Sequence, residues 1–314
     1  MNQKFPKPKV VFSACLVSEL VRYNGKQIRD EFCEKLAQFV DVIKVCPEVG
    51  INLPVPRNPM VIIFDEKKRV VQKKTNRDLT EKLLKFSVDF LEALNDGVDG
   101  FVLKGKSPSC ALRDATAYRF YGNKRFVVKT SGIFAEAVME KFPKVAFIDE
   151  SGLKHFWRRE HFLCRIFASA ELREVIEAGS KTELLKLHER YKYLLMAHSP
   201  SLLKKLGKLV SNLKGAELSE LFSQYRDLFR SALSVQPTRG KHFNVLQHIY
   251  GYFKDKVDEK EKRKLVKLLN DFSSGSASLT KVRRTLTLYA QKLNVEYLLN
   301  QRYLRPYPEE LEGL

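Results

Sequence analysis

The pattern of apolar residues changes once along this chain, at Gly152, and that change limits what it can fold into. Before it, short apolar runs alternate with helical periodicities. "PKVVFSA" (Pro8–Ala14), "DVIKV" (Asp41–Val45), "VDGFVLK" (98–104) and "KVAFIDE" (144–150) read as strands. "VIIFDEKKRVVQK" (61–73) reads as a hairpin-like strand pair, and "KRFVVKT" (124–130) is a weaker strand signal. Between them, "RDEFCEKLAQFV" (Arg29–Val40), "DLTEKLLKFSVDFLEALNDG" (78–97) and "GIFAEAVMEKFP" (132–143) carry a helical stripe. In the second of these, Asp78 or Thr80 is placed to cap the helix and Gly97 to end it. Strands alternating with helices predict an α/β domain with a parallel sheet over residues 1–150. After Gly152 only helical periods remain, the first at 155–179 and the last at 278–301, separated by "HSPS", "QPTRG" and "SSGSAS". An all-α C-terminal domain over 151–314 follows.

Charge narrows the function classes. Lys and Arg number 56 against 37 Asp and Glu, a net charge of +19. Residues 1–150 carry 26 − 19 = +7 and residues 151–314 carry 30 − 18 = +12. Both halves have the electrostatic footprint of a polyanion binder, the helical half more strongly. A merely lysine-rich solvated surface is the competing reading. The first residues, "MNQKFPKPKVVFSACL", lack the long apolar core of a secretory leader, and no apolar run reaches membrane-spanning length. A soluble, cytoplasmic protein is expected, with no membrane and no obligate protein partner.

Five cysteines are present: Cys15, Cys33, Cys46, Cys110 and Cys164. A reducing compartment disfavours a disulfide framework. Cys15, Cys46 and Cys110 share one address, at or just past the end of an expected strand. In a parallel sheet those ends lie on one edge, where open α/β sheets place their sites. Three thiolates without a fourth suggest a metal centre with one open position, and sulfur ligands suit iron–sulfur, zinc or copper(I). The residue types alone do not choose among these, and a small buried cysteine is the competing reading at each position. Cys33 and Cys164 sit on apolar helix faces and read as core. His188 and His198, ten residues apart, do not form a helical metal pair.

Three motifs, "SACLVSELVRYNG", "CPEVGINLPVPRNP" and "LKGKSPSC", occur in the order seen in the thiouracil desulfidase family, and the likeness continues through "NRDLTEKLL" and "SGIFAEAVMEKFP". Residues 8 to about 150 resemble that family. The segments "HERYKYLLMAHSP", "PTRGKHFNVLQHIYGYFK" and "YLRPYPEEL" resemble the helical domain, of YbgA type, fused to it in two-domain members that act on 4-thiouridine in transfer RNA. The resemblance implies a [4Fe-4S] cluster held by Cys15, Cys46 and Cys110, with one iron left open for the substrate's sulfur. It also implies proton-transfer roles for Glu48 and Ser107. One departure shows: Ala111 follows the last cysteine, where the family usually has Gly.

The chemistry agrees with those residue types. Exchanging C=S for C=O is a hydrolysis without net redox change. It needs a soft Lewis acid, an activated water and a proton donor. Glu48, two residues from a candidate ligand, suits the water. Ser107 suits a proton relay, with Ser109 as its substitute. Arg22, Asn24 and Arg57 lie in loops near the cysteines and are candidates to grip phosphate or ribose. In the helical half, Arg239, Lys241, His242, Arg283 and Arg284 are the candidate RNA contacts, since cations beside aromatics suit folded RNA. Two other readings remain: a desulfidase of free thiopyrimidine bases, and a non-catalytic, metal-containing RNA-binding protein.

Overall fold

The computed structural model describes residues 5–64, 66–94, 97–121, 124–212 and 217–312. Asp65 in the expected hairpin, Asn95 and Asp96 at an expected helix end, and residues 213–216 between helices lie outside the described residues. The chain divides into two compact units, Lys7–Ile166 and Met1–Pro6 with Phe167–Leu314.

The first unit is α/β. A parallel sheet has the order β2-β1-β5-β8, from β1 (Lys9–Ser13), β2 (Asp41–Val45), β5 (Gly100–Leu103) and β8 (Ala146–Asp149). Val10, Val11 and Phe12 of β1, and Phe101 and Val102 of β5, are wholly buried. A strand covered on both faces needs such an unbroken apolar run, which is why the sequence shows no alternation here. The chain leaves β1 for β2 on one side and returns to β5 on the other. The carboxyl ends of β1 and β5 therefore form a switch point, the place where open α/β sheets leave a crevice.

A second, mixed sheet has the order β4-β3-β6-β7, from β3 (Met60–Phe64), β4 (Lys68–Gln72), β6 (Ala115–Tyr121) and β7 (Lys124–Thr130). The pairs β3–β4 and β6–β7 are antiparallel, and β3–β6 is parallel. Strand β6 has no counterpart in the sequence reading. Its buried positions are small alanines, Ala115 and Ala117, so the apolar signal is faint. Helices α1 (Glu31–Leu36), α2 (Pro47–Gly50), α3 (Thr80–Ala93), α4 (Ile133–Lys141) and α5 (Glu150–Leu153) complete the layers. Asp30 caps α1, accepting from the Cys33 N–H at 3.0 Å. Helix α3 has the apolar Leu79 at its N-cap position and so no side-chain cap there; Asp78 Oδ1 accepts from the Thr80 N–H at 2.9 Å, and the Thr80 hydroxyl accepts from the Val70 N–H at 2.9 Å. The core gathers Leu103, Cys110, Phe134 and Val138 around the parallel sheet, and Ile62, Leu83, Ala117 and Ile133 beside the mixed one.

The second unit is helical among its described residues. Helix α6 (Phe156–Glu177) carries the unit boundary. It is followed by α7 (Lys181–His198), α8 (Pro200–Ser211), α9 (Leu218–Ser234), α10 (Arg239–Tyr250), α11 (Glu259–Ser274), α12 (Leu279–Lys292) and α13 (Glu296–Leu299). Ser180, Ser199, Thr238, Asp258 and Ser278 cap their helices through side-chain oxygens. The single helix expected over 278–301 is two, because Asn294 takes a left-handed φ of 50° between them. The tail folds back: Glu171 accepts from Arg302 at 2.7 Å and Tyr191 at 2.8 Å, and pairs with Arg190 at 3.0 Å. No described helix is long and apolar enough to cross a membrane.

Candidate functional site

A cavity of about 320 Å³ opens at the carboxyl ends of the central parallel strands. Cys15 reaches it from the 3₁₀ turn Ala14–Leu16 that directly follows β1. Cys46 reaches it as the residue between β2 and α2, with Pro47 starting the helix. Cys110 comes from the loop after β5. That loop is held on the N-terminus of α4, whose Phe134 and Ala135 N–H groups donate to Ser109 O at 3.0 and 3.1 Å. The packing there is so close that a Cβ on Gly132 would sit 2.4 Å from the Ser109 carbonyl carbon, so only glycine fits. Ala111 is wholly buried and its N–H donates to Ser107 O at 3.1 Å, so its methyl is accommodated.

Burial is the main influence on all three thiols. It pushes Cys15 up to about 11, with the nearby Cys46 adding to the rise, and holds Cys46 and Cys110 above the ordinary thiol range. Lys104 and Arg22 oppose the rise at Cys15. Without a metal the thiols are protonated, and binding a metal would release those protons. Among the described residues no group of three His, Cys, Asp or Glu side chains is arranged to hold one metal ion. A single zinc would need thiolates about 3.8 Å apart, from 2.3 Å bonds in a tetrahedron. A polynuclear cluster gives each thiolate its own iron, so its ligands stand further apart. Three thiols lining one shared cavity, with cations at its wall, are a donor set that a thiolate-bound cluster could use. Cys33 and Cys164 are buried elsewhere, Cys33 on α1 and Cys164 against Glu160 at 3.4 Å.

Glu48 enters the cavity from the first turn of α2 and is locked in place. Arg57 donates to its Oε2 at 2.6 Å, and Ser109 donates to its Oε1 at 3.2 Å. The Arg57 guanidinium also donates to Val21 O at 2.8 Å and is only 3% exposed. Its fork is thus spent on Glu48 and on the backbone, not on a phosphate. Ser107 lines the cavity, and its Oγ accepts from the N–H groups of Ser109 and Cys110 at 3.2 and 3.1 Å. That leaves the Ser107 hydroxyl hydrogen to donate elsewhere. Arg22 lines the cavity beside Tyr23, its guanidinium 5.7 Å from that ring. Asn24 does not line it; its Oδ1 accepts from the Lys26 N–H at 3.2 Å in a surface turn.

Lys104 is a wall residue that sequence reasoning passed over. It pairs with Glu150, whose other oxygen accepts from the Gly105 N–H at 2.8 Å. Its position directly after β5, between two candidate ligands, was the available signal.

The five helical-unit candidates do not form a surface of free cations. His242 and Arg283 are buried, His242 3.1 Å from the Tyr303 hydroxyl and Arg283 over that ring at 4.7 Å. Arg239 donates to Phe272 O at 2.7 Å, Lys241 to His198 O at 3.0 Å, and Arg284 pairs with Glu312 at 2.8 Å. Of the five, Arg284 is exposed, and further exposed cations include Lys204, Lys205 and Lys208 along one face of α8.

Two family models match separate parts of the chain. Residues 10–150 match the family model described as 2-thiouracil desulfurase. Residues 192–308 match a family described as protein of unknown function (DUF1722). The Escherichia coli (strain K12) protein described as "Uncharacterized protein YbgA" is 33% identical over 152 residues, which is 46% of this chain and 88% of that protein. A solved structure of the [4Fe-4S]-dependent thiouracil desulfidase TudS is 24% identical, with a TM-score of 0.36, over 47% of this chain and 93% of that one.

Proposed function

The chain belongs to the family that joins a thiouracil desulfidase region to a YbgA-type helical region, and on that premise we propose that it is an iron–sulfur desulfidase that removes sulfur from 4-thiouridine in transfer RNA. The observation that carries this reading is the shared cavity. Three thiols from three separate strand ends line it together with a carboxylate fixed by two polar partners.

Cys15, Cys46 and Cys110 would hold a [4Fe-4S] cluster, which supplies a thiophilic Lewis-acid position without a protein ligand. The net reaction is C=S plus water giving C=O plus hydrogen sulfide, with no electrons gained or lost. Glu48 takes the proton from the attacking water, and Arg57 and Ser109 keep its carboxylate aimed into the cavity. Ser107, anchored by two backbone N–H groups, donates its hydroxyl hydrogen toward the pyrimidine or the departing sulfur. Lys104 and Arg22 offset negative charge at the cavity wall. The charge of the helical half, +12 by sequence, supports a polyanionic substrate, since a free base gives that charge no partner.

The test is sulfide release by anaerobically purified protein, measured in parallel on transfer RNA bearing 4-thiouridine and on free thiouracil. The reading expects a higher kcat/KM on the RNA. Turnover of thiouracil alone makes it a free-base desulfidase. RNA binding without sulfide release from either substrate makes it a non-catalytic RNA-binding protein.

A further inference from the structure

The β6–β7 hairpin carries a surface that the desulfidase chemistry does not use. Between Ala115 and Ala135 the sequence holds four cations, Arg119, Lys124, Arg125 and Lys129, and no Asp or Glu. Among them, large apolar side chains face water: Phe120 is 46% exposed, Tyr121 62%, Phe126 48% and Val127 62%. Exposed apolar groups are ordinary one at a time; a contiguous cluster marks a binding surface. Register explains how both faces are furnished. Arg119 lies opposite Phe126 and Tyr121 opposite Lys124, while Phe120 lies opposite Arg125 and Tyr118 opposite Val127. Residues two apart share a face, so each face of the ribbon presents an aromatic ring beside a cation. The Tyr121 and Phe126 rings meet edge to face at 5.7 Å on one side, and Arg125 lies 5.1 Å over Tyr118 on the other.

The ribbon's base belongs to the catalytic loop. Ala115 pairs with Thr130, Ser131 Oγ donates to Leu112 O at 2.7 Å, and the Gly132 N–H donates to Ala111 O at 2.7 Å. Both strands therefore spring from residues adjoining Cys110. Seven residues at ~3.3 Å each give a ribbon roughly 20 Å long, room for several nucleotides.

We propose that the face of the β6–β7 ribbon that carries Tyr121, Phe126 and Lys124 holds the single-stranded RNA flanking the reactive base, by stacking bases on Tyr121 and Phe126 and pairing a phosphate with Lys124. This rests on the desulfidase reading of the adjacent cavity. Alternating rings and cations match a strand of bases and phosphates. A second copy of the chain is the competing occupant, because β7 is a sheet edge. Two such edges would bring cations of one sign against each other, which opposes pairing.

The test uses the full chain with a seven-nucleotide RNA holding one central 4-thiouridine, too short to engage much beyond the cavity's surroundings. Tyr121→Ser/Phe126→Ser is expected to weaken binding about tenfold or more. Lys124→Glu is expected to weaken it and to flatten the log–log salt slope by about 0.7, for one single-strand phosphate contact. Turnover of free thiouracil stays within about twofold of the parent in both, which also certifies folding. Oligonucleotide affinity equal to the parent's in both variants overturns the proposal, as does a change confined to sedimentation mass, which would assign the ribbon to a second copy. If the parent releases no sulfide from thiouracil or from the oligonucleotide, the desulfidase reading fails, and the binding data judge the ribbon independently.

Discussion

The two units treat their polar residues in opposite ways. In the α/β unit, Glu48, Arg57, Ser107 and Ser109 come from loops and a short helix, and their bonds serve to aim groups at one cavity. In the helical unit, His242, Arg283, Arg302 and Glu171 sit in the middle of a fold, and their bonds tie helices and tail together. A polar residue past a strand end has no packing task there, so its identity reports on chemistry. A polar residue within a helix bundle is as readily a structural partner, and neighbouring aromatic residues do not distinguish the two cases.

The comparison breaks most visibly at Glu48. Glu48→Gln keeps the side chain's shape and removes its basicity, and sulfide release is expected to fall about 10²–10⁴-fold with iron content unchanged. Parental turnover would remove the residue from the mechanism, and loss of iron would move it to the structural class.

The helical unit should show the reverse dependence. Glu171→Ala leaves Arg302 and Arg190 without their buried carboxylate, and a stability loss of about 3–5 kcal/mol is expected in denaturant unfolding of that unit. At temperatures where the variant stays folded, turnover of free thiouracil is unaffected. A variant as stable as the parent would mean that the tail is not fastened by this network.

How much of this was legible follows from the same contrast. Strands β1 and β5 are buried on both faces and need apolar runs, and the edge strand β2, with only Val45 buried, still carries Val42, Ile43 and Val45, so the strand ends bearing Cys15, Cys46 and Cys110 could be placed from sequence. Strand β6 was illegible because its core contacts are alanines and its large residues face water. The split between α12 and α13 depends on the backbone at Asn294, whose residue type permits a left-handed φ without requiring it. Arg57 reads as a free loop cation until the chain folds back and sets it on Glu48. The inward bonding of Arg239 and Lys241 is likewise tertiary, made with carbonyls 33 and 43 residues away.

A smaller effect sharpens the structural side. Burial lowers the pKa of His188, which lies 3.1 Å from the Tyr225 hydroxyl. The folded state thus favours the neutral ring. The stability this gives is fully present above the ordinary value of 6.5 and is lost as pH falls through the lower folded value. Tm is expected to drop modestly more in the parent than in His188→Gln between about pH 7 and pH 5. Parallel Tm curves would mean that the imidazole titrates alike in the folded and unfolded chain.

The central claim is that the cavity's three thiols hold one iron–sulfur cluster. Iron and acid-labile sulfide are measured on anaerobically purified parent, on Cys15→Ser, Cys46→Ser and Cys110→Ser, and on Cys33→Ser and Cys164→Ser. The account predicts about four of each per chain in the parent and in the last two variants, and loss of both in the first three. Equal iron and sulfide in Cys110→Ser and the parent, or one zinc per chain in place of iron, would contradict it.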